Sequence, residues 1–375
     1  MSSLITTNLL TRISANSRVT EKGRIRPLVE SDVAQIMDLS RRVAEVGEHP
    51  FAYSAAFLKR LFFELPWCDG SLPSLAYEDA SGRLIGCLGI MPRPMMFRGR
   101  LIRVAVGHHF LVDKSRRGTR VAIELVRCFL GGSQDLSLAM WQEFGKRIWT
   151  SLGGSVTPLH SFSWTRALRP ARYALDFLKD RGLPASAAVP LHAACQAVDT
   201  TLRLFGPRAF PLKPHALSDD LDAVTMLACL SAFASDRALR PCYDVASLAW
   251  LLETLGEATH RGRLHKVALR TRSGRPLGWY LYYLTVSGAA EVLQIGGKEN
   301  ALREVLDHLY NHARQRGAIA VTGPMDARLV APLSENHGVF HRPTNAWTLI
   351  HSHDPHIVDA IHAGDAFLSR LEGTL

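Results

Sequence analysis

Residues 104–130 read Val-Ala-Val-Gly-His-His-Phe-Leu-Val-Asp-Lys-Ser-Arg-Arg-Gly-Thr-Arg-Val-Ala-Ile-Glu-Leu-Val-Arg-Cys-Phe-Leu, and this stretch decides the fold. Its first half is rich in β-branched and aromatic residues, which favour a strand. Its second half has apolar residues at helical spacing, at Val121, Leu125, Val126 and Phe129. The basic turn 114–120 lies between them. A strand that leads through such a turn into a helix predicts an anion site, because free backbone N–H groups, the helix dipole and arginine side chains attract phosphate.

The length and composition of the chain indicate an ordinary globular protein with two domains. Of its residues, 47% are hydrophobic and 21% are charged, as in an ordinary globular protein. Its length of 375 residues exceeds what a single hydrophobic core usually stabilises, which favours two domains. The formal net charge is +10, but the basic residues are spread along the chain without a long run, which disfavours a nucleic-acid partner. Six cysteines occur with no C-x-x-C pair, a pattern typical of reduced thiols rather than a disulfide frame or a zinc site.

The same residues predict where the protein is found. No apolar run is long enough for a membrane span, and the polar N-terminus lacks the apolar core of a signal peptide. We therefore expect a cytoplasmic protein without a membrane span. Its oligomeric state is left open by the sequence.

The order of predicted elements repeats once along the chain. After a flexible leader, residues 1–23, a first domain at 24–168 contains a helix pair, a hairpin, a strand, the basic turn, a helix and a strand. A proline-rich stretch at 169–217, with a helical segment at 191–204, is interpreted as a connecting helix and linker. A second domain at 218–375 repeats the order of the first. This pattern predicts an α/β protein whose two units each have a mixed, twisted β-sheet flanked by helices.

The first unit resembles the GNAT superfamily of acyl-CoA-dependent N-acyltransferases. The segment 25–32, Ile-Arg-Pro-Leu-Val-Glu-Ser-Asp, is similar to the first strand and helix of that family. The family's pyrophosphate turn has the pattern Arg/Gln-x-x-Gly-x-Gly/Ala, and residues 117–122, Arg-Gly-Thr-Arg-Val-Ala, fit this register. Arg117 and Ala122 match the pattern, and Arg120 stands where the family has its central glycine. The second unit resembles the same fold by element order alone, so the chain looks like a tandem GNAT protein.

The resemblance implies roles for several residues around the turn. His108 corresponds to a histidine that removes the amine proton in some members, and imidazole titrates near neutrality, which suits a base. Strand alternation predicts that His108 and His109 lie on opposite faces. Trp149 occupies the place of a tyrosine that acts as a general acid in many members, and indole is a poor proton donor for that task. The residues expected to bind the acyl-CoA are Leu111, Val112, Arg116, Arg117, Gly118, Thr119, Arg120 and Ala122.

Other polar groups offer alternatives that the sequence leaves open. Glu78, at a strand end, is a second candidate base, although an exposed carboxylate is the simpler interpretation. His308 and His312 have a spacing that can hold a metal, but without a third ligand nearby they are interpreted as a helix surface pair. The histidines of segment 351–356 are dense, yet their ligand geometry is not predictable. Residues 296–298, Gly-Gly-Lys, take the place of the basic turn in the second unit and are a weaker candidate for a second anion site.

These observations predict an N-acyltransferase that moves an acyl group from acetyl-CoA or another acyl-CoA to a primary amine of a small molecule or cell-envelope precursor. No metal is expected, and the acceptor is expected in the cleft between the halves. The first alternative is an aminoacyl-tRNA-dependent transferase of the FemX type, which also has two GNAT-like halves. The second is a non-catalytic binding protein, because Arg120 and Trp149 depart from the family pattern.

Overall fold

The structure is a computed structural model that describes residues 23–43, 54–116, 120–205, 216–342 and 346–373. The predicted leader therefore lies almost wholly outside the described residues. Contacts divide the chain into two compact units. The first comprises Met1–Thr157, Asn345–Ile361 and Glu372–Leu375, and the second comprises Pro158–Thr344 and His362–Leu371. Among the described residues, no helix is long and apolar enough to cross a membrane.

The described residues form strands and helices in alternation. The strands are β1 (Arg24–Pro27), β2 (Leu75–Glu78), β3 (Leu84–Phe97), β4 (Arg100–Val112), β5 (Leu136–Trp141), β6 (Ser155–Val156), β7 (Ser163–Ala167), β8 (Leu217–Asp220), β9 (Leu239–Pro241), β10 (Arg263–Arg270), β11 (Pro276–Leu284), β12 (Ala289–Gly297), β13 (Ala320–Pro324), β14 (Val339–His341) and β15 (Trp347–His351). The helices are α1 (Val33–Val43), α2 (Ala55–Phe63), α3 (Arg120–Leu130), α4 (Glu143–Ser151), α5 (Pro158–Ser161), α6 (Pro170–Asp180), α7 (Ala185–Phe205), α8 (Ala223–Phe233), α9 (Val245–Glu257), α10 (Leu302–Gln315), α11 (Val330–Glu335), α12 (Pro355–His362) and α13 (Arg370–Gly373).

The first unit is built on a mixed sheet in the order β1-β2-β3-β4-β5-β15-β6. Its neighbours are antiparallel except β4 and β5, which run parallel and are joined through α3. The apolar stripe that predicted α3 faces this sheet, with Leu125 and Val126 fully buried. Trp149 of α4 joins the same core, so α3 and α4 cover one region of the sheet.

The second unit repeats this plan in the order β14-β7-β13-β12-β11-β10-β8. Here β12 and β13 are the parallel pair, joined through α10. The core contains Tyr280, Tyr282, Val305 and Leu309, all fully buried. The predicted fold class is thus confirmed, with two mixed sheets, each flanked by helices.

The borders of the units differ from the predicted ones at two strands. β7 lies before the predicted border at residue 168 but pairs with β13 and β14 of the second unit. β15 lies in the predicted second domain but pairs with β5 and β6 of the first unit. An indole hydrogen bond supports each of these two strand placements. Trp164 Nε1 of β7 donates to the Pro324 carbonyl of β13, and Trp149 Nε1 of α4 donates to the Ile350 carbonyl of β15, both at 3.0 Å. Residue composition predicts that a segment is a strand but does not predict which strand it pairs with. The sequence therefore did not indicate that β7 and β15 are exchanged between the two units.

The predicted linker also contains more structure than one helix. α6 begins with Pro170 at its first turn, and Asp199 of α7 accepts hydrogen bonds from the backbone N–H groups of Ala171 and Arg172, at 2.9 and 3.1 Å. Asp199 therefore caps the N-terminus of α6, and the two helices pack against each other as a hairpin. The proline at 190 lies inside α7 and does not end it.

Candidate functional site

A β-bulge interrupts β4 at its two histidines. Cys87 pairs with Leu111 and Gly89 with His108, so that His109 and Phe110 together face the single residue Leu88 of β3. His109 has a φ of 45°, in the left-handed region that few residues other than glycine adopt. A bulge of this kind re-aims the side chains next to it, and it is often found at functional sites.

The bulge brings both imidazoles to the same side of the strand. The Nδ1 atoms of His108 and His109 lie 2.8 Å apart, within hydrogen-bond distance. Both rings contact Phe62 of α2, with centroids 5.0 and 5.5 Å from it. The prediction that the two histidines face opposite ways is therefore wrong, because regular alternation does not survive an inserted residue.

His108 is held in a tight, water-poor environment. It is 8% exposed, and among the described residues its Nε2 has no hydrogen-bond partner. A side chain on Gly89 would overlap the His108 ring, so glycine is needed there. Burial, assisted by the nearby His109 and Arg93, lowers the pKa of His108 well below its usual value. The imidazole is therefore neutral at physiological pH, and one ring nitrogen is buried without a bond.

A buried arginine lies in the same region of β3. Arg93 is 4% exposed, and its guanidinium lies over the Trp67 ring at 4.6 Å from the centroid. Its Nη2 is 3.2 Å from Met91 Sδ. No motif in the sequence indicates Arg93, and the helical spacing of Phe62 indicates only a core position.

Beyond this cluster, β4 and β5 separate. Their parallel pairing covers residues 104–107 of β4 and 136–139 of β5 and then stops. β5 continues against β15, with Trp141 opposite Trp347, whereas β4 continues against β3. Within the described ranges, the backbone groups of β4 that face β5 beyond Gly107 have no strand partner there. An extended ligand can therefore hydrogen-bond in this divergence.

Aromatic rings span the divergence. Phe110 on β4 stacks on Trp141 of β5, with centroids 4.7 Å apart and planes inclined by 26°. Phe144 of α4 lies parallel to Phe110 at 6.3 Å and is 44% exposed. The divergence is thus lined by flat apolar surfaces.

The second unit also has a bulged strand that diverges from its parallel neighbour, but different residues lie in its divergence. Leu293 of β12 is the extra residue opposite β11, and pairing with β13 covers only residues 289–291 of β12. The chain segment 366–369 lies in this divergence, where Gln294 donates to Ser369 Oγ at 3.2 Å and accepts from Trp279 Nε1 at 2.8 Å. A cavity of about 20 Å³ is left, room for about one water molecule.

The glycine turn of the second unit is explained by packing. A Cβ on Gly296 would overlap the Trp279 indole, and one on Gly297 would lie 2.8 Å from the Leu277 carbonyl oxygen. These glycines are thus required by their own sheet. This weakens the case for a second anion site at residues 296–298.

Solved structures share this fold. A conserved protein of unknown function from Enterococcus faecalis, described as a probable N-acyltransferase, is 10% identical with a TM-score of 0.57, covering 88% of this chain and 73% of its own. The N-myristoyltransferase of Saccharomyces cerevisiae, solved with bound myristoyl-CoA, is 12% identical with a TM-score of 0.54. The match covers 88% of this chain and 78% of the yeast chain. A GCN5-related N-acetyltransferase from Kribbella flavida is 13% identical with a TM-score of 0.54 over 89% and 72%. The chain has the GNAT fold. No family model and no curated protein matches it.

The residues expected at the pyrophosphate turn of this GNAT fold are only partly described. The backbone of Arg116 ends a one-turn 3₁₀ helix, Lys114–Arg116, whereas Arg117, Gly118 and Thr119 lie outside the described residues. Arg120 begins α3, is 77% exposed at its side chain and pairs with Glu124 at 3.2 Å. In this structure it therefore lies along its own helix.

The remaining residues expected to bind the cofactor are buried. Ala122 is 2% exposed and faces the core from α3, so it contributes packing. Leu111 and Val112, 5% and 4% exposed, end β4 just after the bulge. Their side chains belong to the interior, and their backbone lies beside the divergence.

Trp149 has a structural position in this GNAT fold. It is fully buried, and its indole N–H donates to the Ile350 carbonyl. A side chain on Gly154 would overlap its ring. These contacts explain the presence of Trp149 as core packing, and indole is not expected to act as a general acid.

Two other candidates have different surroundings from those expected. Glu78 is 8% exposed, and its carboxylate binds Arg24 at 3.0 Å and Arg26 at 2.6 Å. These two arginines lower the pKa of Glu78, which makes it a poor base. The expectation of an exposed carboxylate is wrong, because an ion-pair network covers it.

His308 and His312 are also not a surface pair. Each Nδ1 bonds a tyrosine hydroxyl, Tyr280 at 2.8 Å for His308 and Tyr282 at 2.9 Å for His312. Within the described ranges, no three His, Cys, Asp or Glu side chains come together in a way that could hold a metal ion. The histidines are therefore structural partners of the two tyrosines.

Proposed function

We propose that the protein is an acyl-CoA-dependent N-acyltransferase whose reaction takes place in the first unit. The observation that supports this most strongly is the bulge of β4, which begins at His108, directly after the last residue paired with β5, and includes a buried imidazole whose Nε2 has no partner among the described residues. The GNAT fold of the chain is consistent with this assignment, because the solved structures that share it are described as N-acyltransferases.

The acyl-CoA would bind with its extended arm in the divergence. Backbone groups of β4 between His108 and Val112 that point away from β3 would hydrogen-bond the arm. Leu111 pairs with Cys87 of β3, so the N–H group of Val112, which points the other way, would polarise the thioester carbonyl. The 3′-phosphate and pyrophosphate would lie at the turn before α3, where Arg116, Arg117 and Arg120 supply charge and Gly118 and Thr119 supply backbone N–H groups.

In the reaction, the neutral amine nitrogen attacks the thioester carbon, and a C–N bond forms as the C–S bond breaks. His108 Nε2 takes the proton that the amine loses, and the departing thiolate takes a proton from solvent. This function requires the tautomer in which His108 Nδ1–H donates to Nδ1 of His109, because Nε2 then has the lone pair. His109 is thus a positioning residue.

Binding is the first test of this function. Titration calorimetry of the wild-type protein with acetyl-CoA, myristoyl-CoA and an acyl-CoA of intermediate length should show binding to at least one of them. Myristoyl-CoA is included because one protein of the same fold was solved with it bound. If none of these ligands binds to folded protein, the transferase proposal fails.

Turnover is the second test. For a ligand that binds, His108→Ala should lower kcat by about a hundredfold or more, the usual contribution of a general base, with little change in cofactor affinity. His160→Ala is the matched control, since His160 is also buried, at 5% exposed, in the second unit. Unchanged turnover in His108→Ala would remove this residue as the base.

The alternatives are separated by the same measurements. Cofactor binding with no turnover on any tested amine would favour the non-catalytic binding protein. Steeply salt-dependent binding of aminoacyl-tRNA would favour the FemX-type transferase. The acceptor that we propose is a small molecule with a primary amine, or a cell-envelope precursor, and the reaction itself needs no metal.

A further inference from the structure

One tryptophan of the first unit has a buried N–H group that bonds to nothing described. Trp141 is 8% exposed, and its Nε1 has no hydrogen-bond partner among the described residues. Three other buried indoles have an acceptor each, from Trp149 to Ile350 O, from Trp164 to Pro324 O and from Trp279 to Gln294 Oε1. Buried donors are nearly always satisfied in native proteins, so this exception requires a physical reason.

The position of this indole is fixed by its neighbours. Trp141 is the last residue of β5, two residues beyond the end of the pairing with β4. A Cβ on Gly107 would lie 3.0 Å from Trp141 Cζ2, and one on Gly145 would lie 2.9 Å from Trp141 Cβ. The ring also contacts Trp149 edge-on, with centroids 5.2 Å apart. The indole is therefore clamped in one orientation.

The N–H group of this indole lies close to β4. Cζ2, the atom nearest to a Cβ on Gly107, and Nε1 are both bonded to Cε2, so Nε1 is only two bonds away from the atom that approaches Gly107. Gly107 is the last residue of β4 that pairs with β5. The unsatisfied donor thus lies at the point where the two strands begin to separate.

We propose that the Trp141 Nε1–H group donates a hydrogen bond to a carbonyl oxygen in the arm of the bound acyl-CoA. This rests on the proposed function, which puts that arm in the divergence. The arm has uncharged carbonyl acceptors in two amides and in the thioester, and a neutral donor in apolar surroundings suits such a partner better than it suits phosphate. Trp141 is in this view a binding residue that helps set the depth of the arm.

The first experiment compares two tryptophan-to-phenylalanine variants by calorimetry. Trp141→Phe keeps an aromatic ring and removes the donor, so coenzyme A and the acyl-CoA should bind about tenfold more weakly, which corresponds to one hydrogen bond. Its thermal midpoint should stay the same or rise, because a buried donor without a partner is removed. Trp149→Phe loses a satisfied bond, so its midpoint should fall while its affinity stays that of the wild type.

A truncated ligand and a spectrum complete the test. 3′-Phospho-ADP, which lacks the arm, should bind equally to wild type and Trp141→Phe. In the wild type, whose seven tryptophans each give one indole resonance, coenzyme A should move the Trp141 N–H proton downfield and leave that of Trp149 in place. This measurement is independent of whether the variant folds.

The outcomes separate the two proposals. If the wild type binds coenzyme A but Trp141→Phe binds it equally well, or no indole resonance moves, the role of Trp141 is refuted while the proposed function stands. If the indole resonance moves with 3′-phospho-ADP as well, the donor bonds water or phosphate and the inference fails. If the wild type binds no acyl-CoA, the proposed function itself fails.

Discussion

The two units have the same construction but use it differently. In each, a bulged strand diverges from a parallel neighbour and is followed by a turn and a helix. In the first unit, His108 Nε2 and Trp141 Nε1 are buried in this region without a partner among the described residues. In the second, Gln294 is fully buried and binds Trp279 and Ser369.

We interpret this difference as one between the proposed binding site and a structural element. A polar group that lacks a partner inside a protein lowers its stability by about 1–3 kcal/mol, so it persists where a ligand or water completes it. In the divergence of the second unit, the chain itself supplies partners for the Trp279 indole and for the Gln294 amide. We therefore expect substitutions in the second divergence to change stability and those in the first to change binding.

Acid should destabilise the second unit. Burial, with Arg316 nearby, lowers the pKa of His312 to about 3 and that of His265 to about 4. Both imidazoles are neutral in the folded state, whereas in the unfolded chain they bind protons near pH 6.5. Stability is therefore complete above pH 6.5 and is lost as the pH falls towards 4. Because solvent screens these half-buried groups, we expect a loss of about 1–2 kcal/mol from the two imidazoles together at pH 5 relative to pH 7.

The measurement is urea denaturation at a series of pH values, and His312→Gln is the informative variant. The glutamine amide can form a hydrogen bond with the Tyr282 hydroxyl in place of His312 Nδ1. The variant keeps only His265 of the two imidazoles, so on acidification it should lose about half of the free energy of unfolding that the wild type loses through the pair. An acid loss identical to that of the wild type would show that His312 does not contribute.

Among the substitutions, Gln294→Leu should have the largest effect on stability. It removes the acceptor of the Trp279 N–H, which is fully buried, and the donor to Ser369. We expect a loss of about 2–3 kcal/mol in the free energy of unfolding, measured with urea. The affinity for coenzyme A should not change, and a large change would contradict the division between the units.

Gly296→Ala and Gly107→Ala compare one glycine from each unit. The Cβ at 296 would overlap the Trp279 indole, whereas the Cβ at 107 would lie 3.0 Å from Trp141. The first substitution should cost about 1–2 kcal/mol of unfolding free energy, a usual cost of overpacking, and the second clearly less. Equal costs in thermal or urea unfolding would mean that the clamp around Trp141 is as rigid as the core at Trp279.

The smallest effect on stability is expected at the exposed turns. Arg120→Ala breaks one surface pair with Glu124 and should leave unfolding nearly unchanged. It should weaken coenzyme A binding several-fold, more so at low salt, if the arginine turns to the phosphates. Lys298→Ala at the corresponding turn of the second unit is the control and should bind coenzyme A like the wild type.

Much of the fold followed from local sequence patterns. The strand, turn and helix at 104–130 and the hairpin turned near Gly274 were predictable, because periodicity and turn residues are local signals. The bulge at His109 was not, since its positive φ is fixed by the pairing of β4 with β3. Local patterns therefore predicted which segment contains the candidate site, but they did not predict how its side chains are arranged.

The donors and acceptors of the site were less predictable still. Trp141 has no motif around it, and its importance follows from an absent hydrogen bond that only coordinates reveal. Glu78 looked exposed because Arg24 and Arg26, which cover it, lie more than fifty residues earlier in the chain. Such partners are set by tertiary structure, and spacing in the sequence does not encode them.

The exchange of β7 and β15 has a consequence for synthesis of the protein. β5 is synthesised long before its neighbour β15. Likewise, Trp149 is synthesised 201 residues before Ile350, whose carbonyl accepts its indole N–H. The first sheet thus has an open edge at β5 until the ribosome has made β15. Open edges and late, distant pairings slow folding and favour aggregation. We expect the nascent chain to depend on chaperones until residue 351 has emerged, and a fragment that ends at residue 157 to aggregate.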